Sequence, residues 1–461
     1  MASGQSANRW RTLDKDLRRI VQLESATRYV SRPMVGTGIA LAFIIVAALG
    51  AALYLGWQQS SLTVVAAAAF GAYMALNIGA NDVANNMGPA VGASALTMGG
   101  AIVIAAIFES AGALLAGGDV VSTISKGIID PASVNDVRIF VWAMMAALIS
   151  AALWVNLATI LGAPVSTTHS VVGGVMGAGI AAAGFGAVNW PMMSKIAASW
   201  VISPVMGGVI AAVFLALIKY RIMYRDDKIA AARVWVPVLI GIMAGVFSAY
   251  LALKGLKRIV QIDIGAALLI GAAVGAASWA VSVPLIRRQS EGMENKNRSL
   301  KVLFRAPLVI SAALLSFAHG ANDVANAVGP LAAIVHAESF GEFAGKVEIP
   351  TWVMLIGAFG ISFGLFLFGP KLIRTVGTKI TKLNPMRAFC VALSAAFTVI
   401  FASWLGLPVS STHIAVGGVF GVGFYREWQG ERRARNRKAK APTGKWADPE
   451  KRKRRKLVRR S

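Results

Sequence analysis

The chain has 461 residues, 56% of them hydrophobic and only 15% charged, with a mean hydropathy of +0.63. Soluble domains carry about 25% charged residues, so this composition excludes one. The formal net charge of +25 does not point to nucleic acid, because the cations sit in short segments beside apolar runs: residues 426–461 hold 16 Lys or Arg against 4 acids. That placement fits the positive-inside rule and contact with anionic lipid headgroups. One cysteine, Cys390, leaves no intramolecular disulfide and no cysteine metal cluster.

In chain order, residues 1–34 are polar and basic. Leu13, Leu17, Ile20 and Val21 recur at helical spacing, which predicts an amphipathic helix on the membrane surface or in solvent. This basic stretch precedes the first apolar run, so no cleavable signal is expected. An additional membrane helix follows within 35–58. A first repeat is expected over 59–219, with spans near 62–79, 99–117, 137–161 and 194–219. A basic loop and two connecting spans fill 220–286, and a basic linker covers 287–305. A second repeat occupies 306–425, with spans near 306–320, 351–369 and 386–406, and a polybasic tail covers 426–461. Apart from 306–320, each span is long enough to cross the hydrocarbon core as a helix. Four apolar segments are too short or too glycine-rich for ordinary spans: 82–96, 165–184, 323–336 and 409–425. The basic segments place both termini in the cytoplasm of a multi-pass protein of the plasma (inner) membrane.

Two motifs occur twice in the same order. Ile78–Pro89 reads I-G-A-N-D-V-A-N-N-M-G-P, and His319–Pro330 reads H-G-A-N-D-V-A-N-A-V-G-P. Leu161–Gly179 begins L-G-A-P-V-S-T-T-H, and Leu405–Gly423 begins L-G-L-P-V-S-S-T-H. Thr123-Ile124 is echoed weakly by Thr375-Val376. Duplicated halves with polar, glycine- and proline-interrupted segments at matching places mark the substrate site of a secondary transporter. Gly79 and Gly320 are expected to permit unwound backbone. Asp82 and Asp323, at membrane depth, need a cavity, a partner or a cation, and suit Na⁺ or a proton. Asn81, Asn85, Asn322 and Asn326 offer amides to an oxyanion or carbonyl oxygens to a cation. Pro164 and Pro408 are expected to open short helices. Ser166, Thr167, Thr168, Ser410, Ser411 and Thr412 then place hydroxyls where free N–H groups and the helix dipole favour an anion. His169 and His413 follow, as proton or gating candidates, as is Glu109. Glu109 has no acidic counterpart in the second half, and pairing with Lys126 or Lys195 is its other reading. Gly173, Gly174, Gly177, Gly417, Gly418 and Gly421 are expected to let helices approach closely. His319 replaces Ile78, which argues for packing or a local hydrogen bond rather than a ligand role.

With these doubled G-A-N-D-V-A-N and P-V-S-[TS]-T-H elements, and a Phe108-Glu109 segment, the chain resembles the inorganic phosphate transporter (PiT) family over about 62–219 and 306–425. The resemblance implies an all-α polytopic membrane protein of two inverted repeats with broken or re-entrant helices and about 10–12 transmembrane segments. It further implies a central phosphate site and symport of inorganic phosphate with Na⁺ or H⁺ by alternating access. Asn81, Asn85, Asn322 and Asn326 with the six hydroxyls would hold phosphate, and Asp82 and Asp323 with Asn81 and Asn322 the coupling cation. No other metal or cofactor is implied, and no catalytic motif argues for an enzyme. Sulfate or another oxyanion as cargo, an anion channel, and a receptor or scaffold with a recruiting tail are the competing readings. The second half lacks a counterpart of the helix at 194–219, so a homodimer or the additional helix is expected to cover that side.

Overall fold

The computed structural model describes residues 34–55, 61–129, 133–134, 136–255, 262–341, 349–377 and 383–439. The amphipathic pattern before Met34 and the tail beyond Ala439 lie outside them. Among the described residues the regular structure is helical apart from one isolated bridge, Ile129 to Val188, and ten helical stretches are long and apolar enough to cross a membrane.

Helix α1 is Met34–Leu55. The first half follows: α2 (Ser61–Asn81), α3 (Val83–Gly92), α4 (Met98–Ala116), α5 (Gly118–Lys126), α6 (Val137–Leu161), α7 (Thr167–Ala183) and α8 (Trp190–Ile218). The connectors are α9 (Lys228–Lys254), α10 (Ile264–Gln289) and the short α11 (Asn297–Leu303). The second half holds α12 (Arg305–Asp323), α13 (Ala325–Phe340), α14 (Thr351–Thr375), α15 (Pro385–Trp404) and α16 (Ser411–Ala439). Helix starts are written locally. Side chains of Thr97, Asp136, Ser166, Asn189, Asp227, Asp263 and Asn384 accept a backbone N–H in the first turn of α4, α6, α7, α8, α9, α10 and α15, which removes an orphan donor at each start.

Several expectations are corrected. The segments 82–96 and 323–336 are not separate pieces. They continue α2 and α12 after a one-residue irregularity at Asp82 and Val324, both with right-handed helical dihedrals. Gly79 and Gly320 therefore do not unwind the chain. They lie inside helices at close crossings: an added Cβ would stand 1.8 Å from the Ile361 carbonyl oxygen and 2.1 Å from that of Glu109, respectively. Gly364 and Gly112 do the same from the other side, at 1.9 Å from Leu76 O and 2.0 Å from Phe317 O. Thus α2 crosses α14, and α12 crosses α4, by one matched device. The weak echo recurs here too, with Gly88 against Val376 and Gly329 against Ile124. Two of the glycines with left-handed backbone, Gly162 (φ 75°) and Gly406 (φ 69°), stand where the chain turns out of α6 and α15.

Pro164 and Pro408 do not open helices either. They stand in the extended approach, and Ser166 and Ser410 are the caps, accepting the N–H of His169 at 3.1 Å and of His413 at 3.2 Å. α16 does not stop near 425 but runs to Ala439.

The outer side of the second half is covered by α8, which packs on α15 and α16. Added Cβ atoms at Gly417 and Gly421 would lie 2.1 Å from Pro204 O and 2.0 Å from Gly208 O. The matching Gly173 and Gly177 on α7 meet nothing within 4 Å. The additional helix α1 is elsewhere: Ala47 and Ala51 pack with Ala68, Ala72 and Ile356 of α2 and α14.

Two hairpins, α6–α7 and α15–α16, reach the centre from opposite ends of α8. The base of the first sits by Trp190, whose Nε1 donates to Phe185 O, and that of the second by Lys219, whose Nζ donates to Gln429. Those ends are about 40 Å apart along a 29-residue helix.

Candidate functional site

The site forms where the hairpin tips meet the irregular points of α2–α3 and α12–α13. Each tip is pinned by an asparagine. Asn81 Nδ2 donates to Thr159 Oγ1 (2.9 Å) and Ala163 O (3.1 Å), and its Oδ1 accepts Val165 N (3.0 Å). Asn322 Nδ2 donates to Ser403 Oγ (3.0 Å) and Leu407 O (3.2 Å), and its Oδ1 accepts Val409 N (3.3 Å). The two sets match residue for residue. Both amides are therefore engaged in holding the extended segments ahead of α7 and α16, and they position the hydroxyls that follow.

Those hydroxyls face the opposite half. Asp82 accepts Thr167 Oγ1 from its own half (2.5 Å) and Thr412 Oγ1 from the other (2.8 Å). Asn85 donates across to Thr412 Oγ1 (2.8 Å), and Asn326 donates across to Thr167 Oγ1 (3.2 Å) and Thr168 Oγ1 (3.3 Å). Thr168 Oγ1 donates to Val409 O at 3.0 Å. Ser411 Oγ is buried without a partner. All of these residues are buried, so hydroxyls, amides and helix N-termini converge in a place without bulk water.

The acidic groups are not equivalent. Asp82 accepts one hydroxyl on each oxygen, whereas Asp323 faces His319, whose Nε2 lies 2.9 Å from Asp323 Oδ2 and 4.0 Å from Asp82 Oδ2. His319 Nδ1 lies 2.6 Å from Glu109 Oε2, and Asn86 Nδ2 donates to Glu109 Oε1 at 2.8 Å. Glu109 thus pairs with His319 and not with Lys195, and the Lys126 side chain lies outside the described residues. One atom each of Asp82, His319 and Asp323 lies within 4.8 Å of the others. Among the described residues nothing donates a hydrogen bond to Asp323 Oδ1 or Asn326 Oδ1. Pro89 and Pro330 lack the N–H that would engage the carbonyls of Asn85 and Asn326 four residues earlier. Unengaged carboxylate, amide and peptide oxygens are the donors a hard cation takes.

His169 and His413 stack at the tips with ring centroids 4.8 Å apart, and Trp200 of α8 lies 3.8 Å from His169 and donates to Pro408 O. His169 Nδ1 is 2.5 Å from Ser166 Oγ. His413 is exposed and His169 half-buried, so the pair stands at the edge of the buried site.

Sequence reasoning misses His319, Asn86 and Trp200. The first two carried a signal. His319 and Asn86 are the polar residues among the three positions where the two copies of the first motif differ, aligned with Ile78 and Ala327. Glu109, also without an acidic counterpart, touches both. The departures from symmetry meet in one buried polar cluster, which the positions read singly do not disclose.

A sequence model described as the phosphate transporter family matches residues 78–458. A Helicobacter pylori (strain J99) protein named "Putative phosphate permease" is 51% identical over 415 residues, 89% of this chain and 78% of its own. The Arabidopsis thaliana protein "Inorganic phosphate transporter 2-1, chloroplastic" is 40% identical, covering 77% of this chain and 65% of its own. A solved structure titled "The sodium-dependent phosphate transporter" is 40% identical, with a TM-score of 0.76 over 79% of this chain and 90% of that one. The doubled motifs lie within the matched region, and the chain belongs to the phosphate transporter family, whose members are transporters and not enzymes.

Proposed function

We propose that this protein is a symporter that moves inorganic phosphate with Na⁺ across the plasma (inner) membrane by alternating access, with both termini in the cytoplasm. The observation that carries the reading is the meeting of two helix N-termini from opposite ends of the bundle, cross-linked through Asp82, Asn85 and Asn326. An oxyanion held there accepts from hydroxyls, amides and backbone N–H groups without a fixed positive charge. Thr167 and Thr412 now donate to Asp82. Phosphate draws the same donors toward itself, and a cation beside the aspartates offsets the charge this leaves buried.

Thr167, Thr168, Ser411, Thr412, Asn85 and Asn326 bind phosphate in this account, and Ser166, Ser410, Asn81 and Asn322 shape the cradle. Asp82, Asp323 and the unengaged oxygens of Asn85 and Asn326 serve the cation. The name of the solved relative favours Na⁺ over H⁺. The opposed hairpins support two oppositely oriented repeats that rock about this point. Orientation is supported by convergence of the basic segments on one end: Arg233 donates to Ser290, Asn295 caps Lys228 N, and Lys219 donates to Gln429. The test is uptake of labelled phosphate into proteoliposomes, with arsenate and sulfate as competitors. Arsenate should compete and sulfate should not. Asp82→Asn and Asp323→Asn should each lose most Na⁺-dependent uptake, and unchanged uptake in both refutes the cation role.

A further inference from the structure

The basic end of the bundle carries a second polar cavity, of ≈ 640 Å³, between the end of α8, α11, the start of α15 and the middle of α16. Four cations line it, Lys219, Arg387, Arg426 and Arg433, with Glu427 as the acid. Basic residues at this end follow from membrane orientation alone. These four differ in lining one cavity, with Lys219 and Arg387 half-buried and Arg426 and Arg433 exposed. Among the described residues no carboxylate forms an ion pair with any of them: the pairs there are Lys254 with Asp119, Lys296 with Glu294, and His319 with its acids.

The walls are ordered around the cations. Lys219 Nζ and Tyr224 OH both donate to Oε1 of the buried Gln429, at 2.5 and 2.8 Å. Arg433 lies over the Tyr224 ring at 4.2 Å, and Lys219 over the Tyr425 ring at 4.9 Å. Among the described residues, Arg387 and Arg426 keep planar donor forks with no acceptor. That combination recognises phosphate oxygens, often two at a time. The volume falls in the range of pockets for whole small molecules, about 300–1,000 Å³, and exceeds what one orthophosphate fills.

We infer that this cavity is a second anion site, distinct from the transport site, for a phosphorylated ligand larger than orthophosphate. Its distance from the hydroxyl cradle is about 22 Å along α16, from Ser411 to Arg426. A ligand there ties the base of the α15–α16 hairpin to α8. The same chemistry is offered by a soluble polyphosphorylated anion and by a phosphomonoester lipid headgroup.

The test uses the full chain in nanodiscs of zwitterionic lipid, with inorganic tripolyphosphate as probe. Saturable binding is expected, weakened about tenfold or more by Arg387→Gln combined with Arg426→Gln. Arg452→Gln with Arg454→Gln, in the tail, should leave it unchanged. Equal loss in both pairs assigns the binding to tail charge and overturns the site, as does absence of saturable binding. Nanodiscs containing phosphatidic acid separate the sources: lipid occupancy lowers tripolyphosphate binding of the unaltered protein to the level of the Arg387/Arg426 variant, and a soluble ligand leaves it in place. Either result supports the shared chemistry. The Arg387/Arg426 variant should retain phosphate uptake. Uptake lost together with binding makes the cavity part of the transport route and overturns a second site.

Discussion

The asparagines of the two G-A-N-D-V-A-N motifs divide into two kinds, although the motif writes them alike. Asn81 and Asn322 spend both ends of their amides on the hairpin tips. Asn85 and Asn326 reach across to hydroxyls of the other half. Asn322→Ala strands a half-buried carbonyl and a buried N–H, the latter at about 1–3 kcal/mol, so it should lower the thermal stability of the purified protein as well as uptake. Asn326→Ala should raise the phosphate KM with a much smaller stability change. Equal stability losses in the two variants would contradict the division. The histidine at 319 is a second residue-scale case. His319→Ile restores the residue of the first copy and leaves Glu109 and Asp323 buried without the imidazole between them. Stranding buried charge costs about 3–5 kcal/mol. His319→Ile should therefore be strongly destabilised, and adding Glu109→Gln should recover part of the loss. A double-mutant cycle by thermal denaturation measures that coupling.

At the scale of helices, glycine spacing decides which elements touch. Gly79 and Gly364 join α2 to α14, and Gly112 and Gly320 join α4 to α12, with backbone where a Cβ would go. Gly364→Ala should separate α2 from α14, and the full-length protein should fail to reach the membrane in folded form. Gly173→Ala, on the open face of α7, should express and transport normally; fractionation with size-exclusion profiles reads both. The sequence shows that these glycines permit close approach, but not which helix lies opposite. Gly79 and Gly320 next to Asn-Asp pairs suggest unwound backbone, and only the crossing with α14 and α4 shows packing instead. The membrane spans themselves are legible from run length, because lipid requires satisfied backbone over a fixed thickness. The covering of the second half is not. Its helix is contributed by α8, from the first half, and no local pattern records that exchange.

The whole molecule pairs a symmetric frame with an asymmetric polar core. The frame follows from duplication and is legible in the two motif pairs, whose hydroxyls, amides and aspartates meet as the site. The asymmetry rests on three differences between the copies, at Asn86, Glu109 and His319, that acquire meaning only when they touch. In this frame one anion cradle is built by both halves, and cation and phosphate share it. Coupling is therefore the central claim. Its most direct measurement is the initial rate of labelled phosphate uptake into proteoliposomes at fixed pH, with and without an inward Na⁺ gradient. The account predicts uptake above the equilibrium level with the gradient, and collapse to that level when Na⁺ is replaced by choline or equilibrated across the membrane. Equal accumulation with and without the Na⁺ gradient would contradict it.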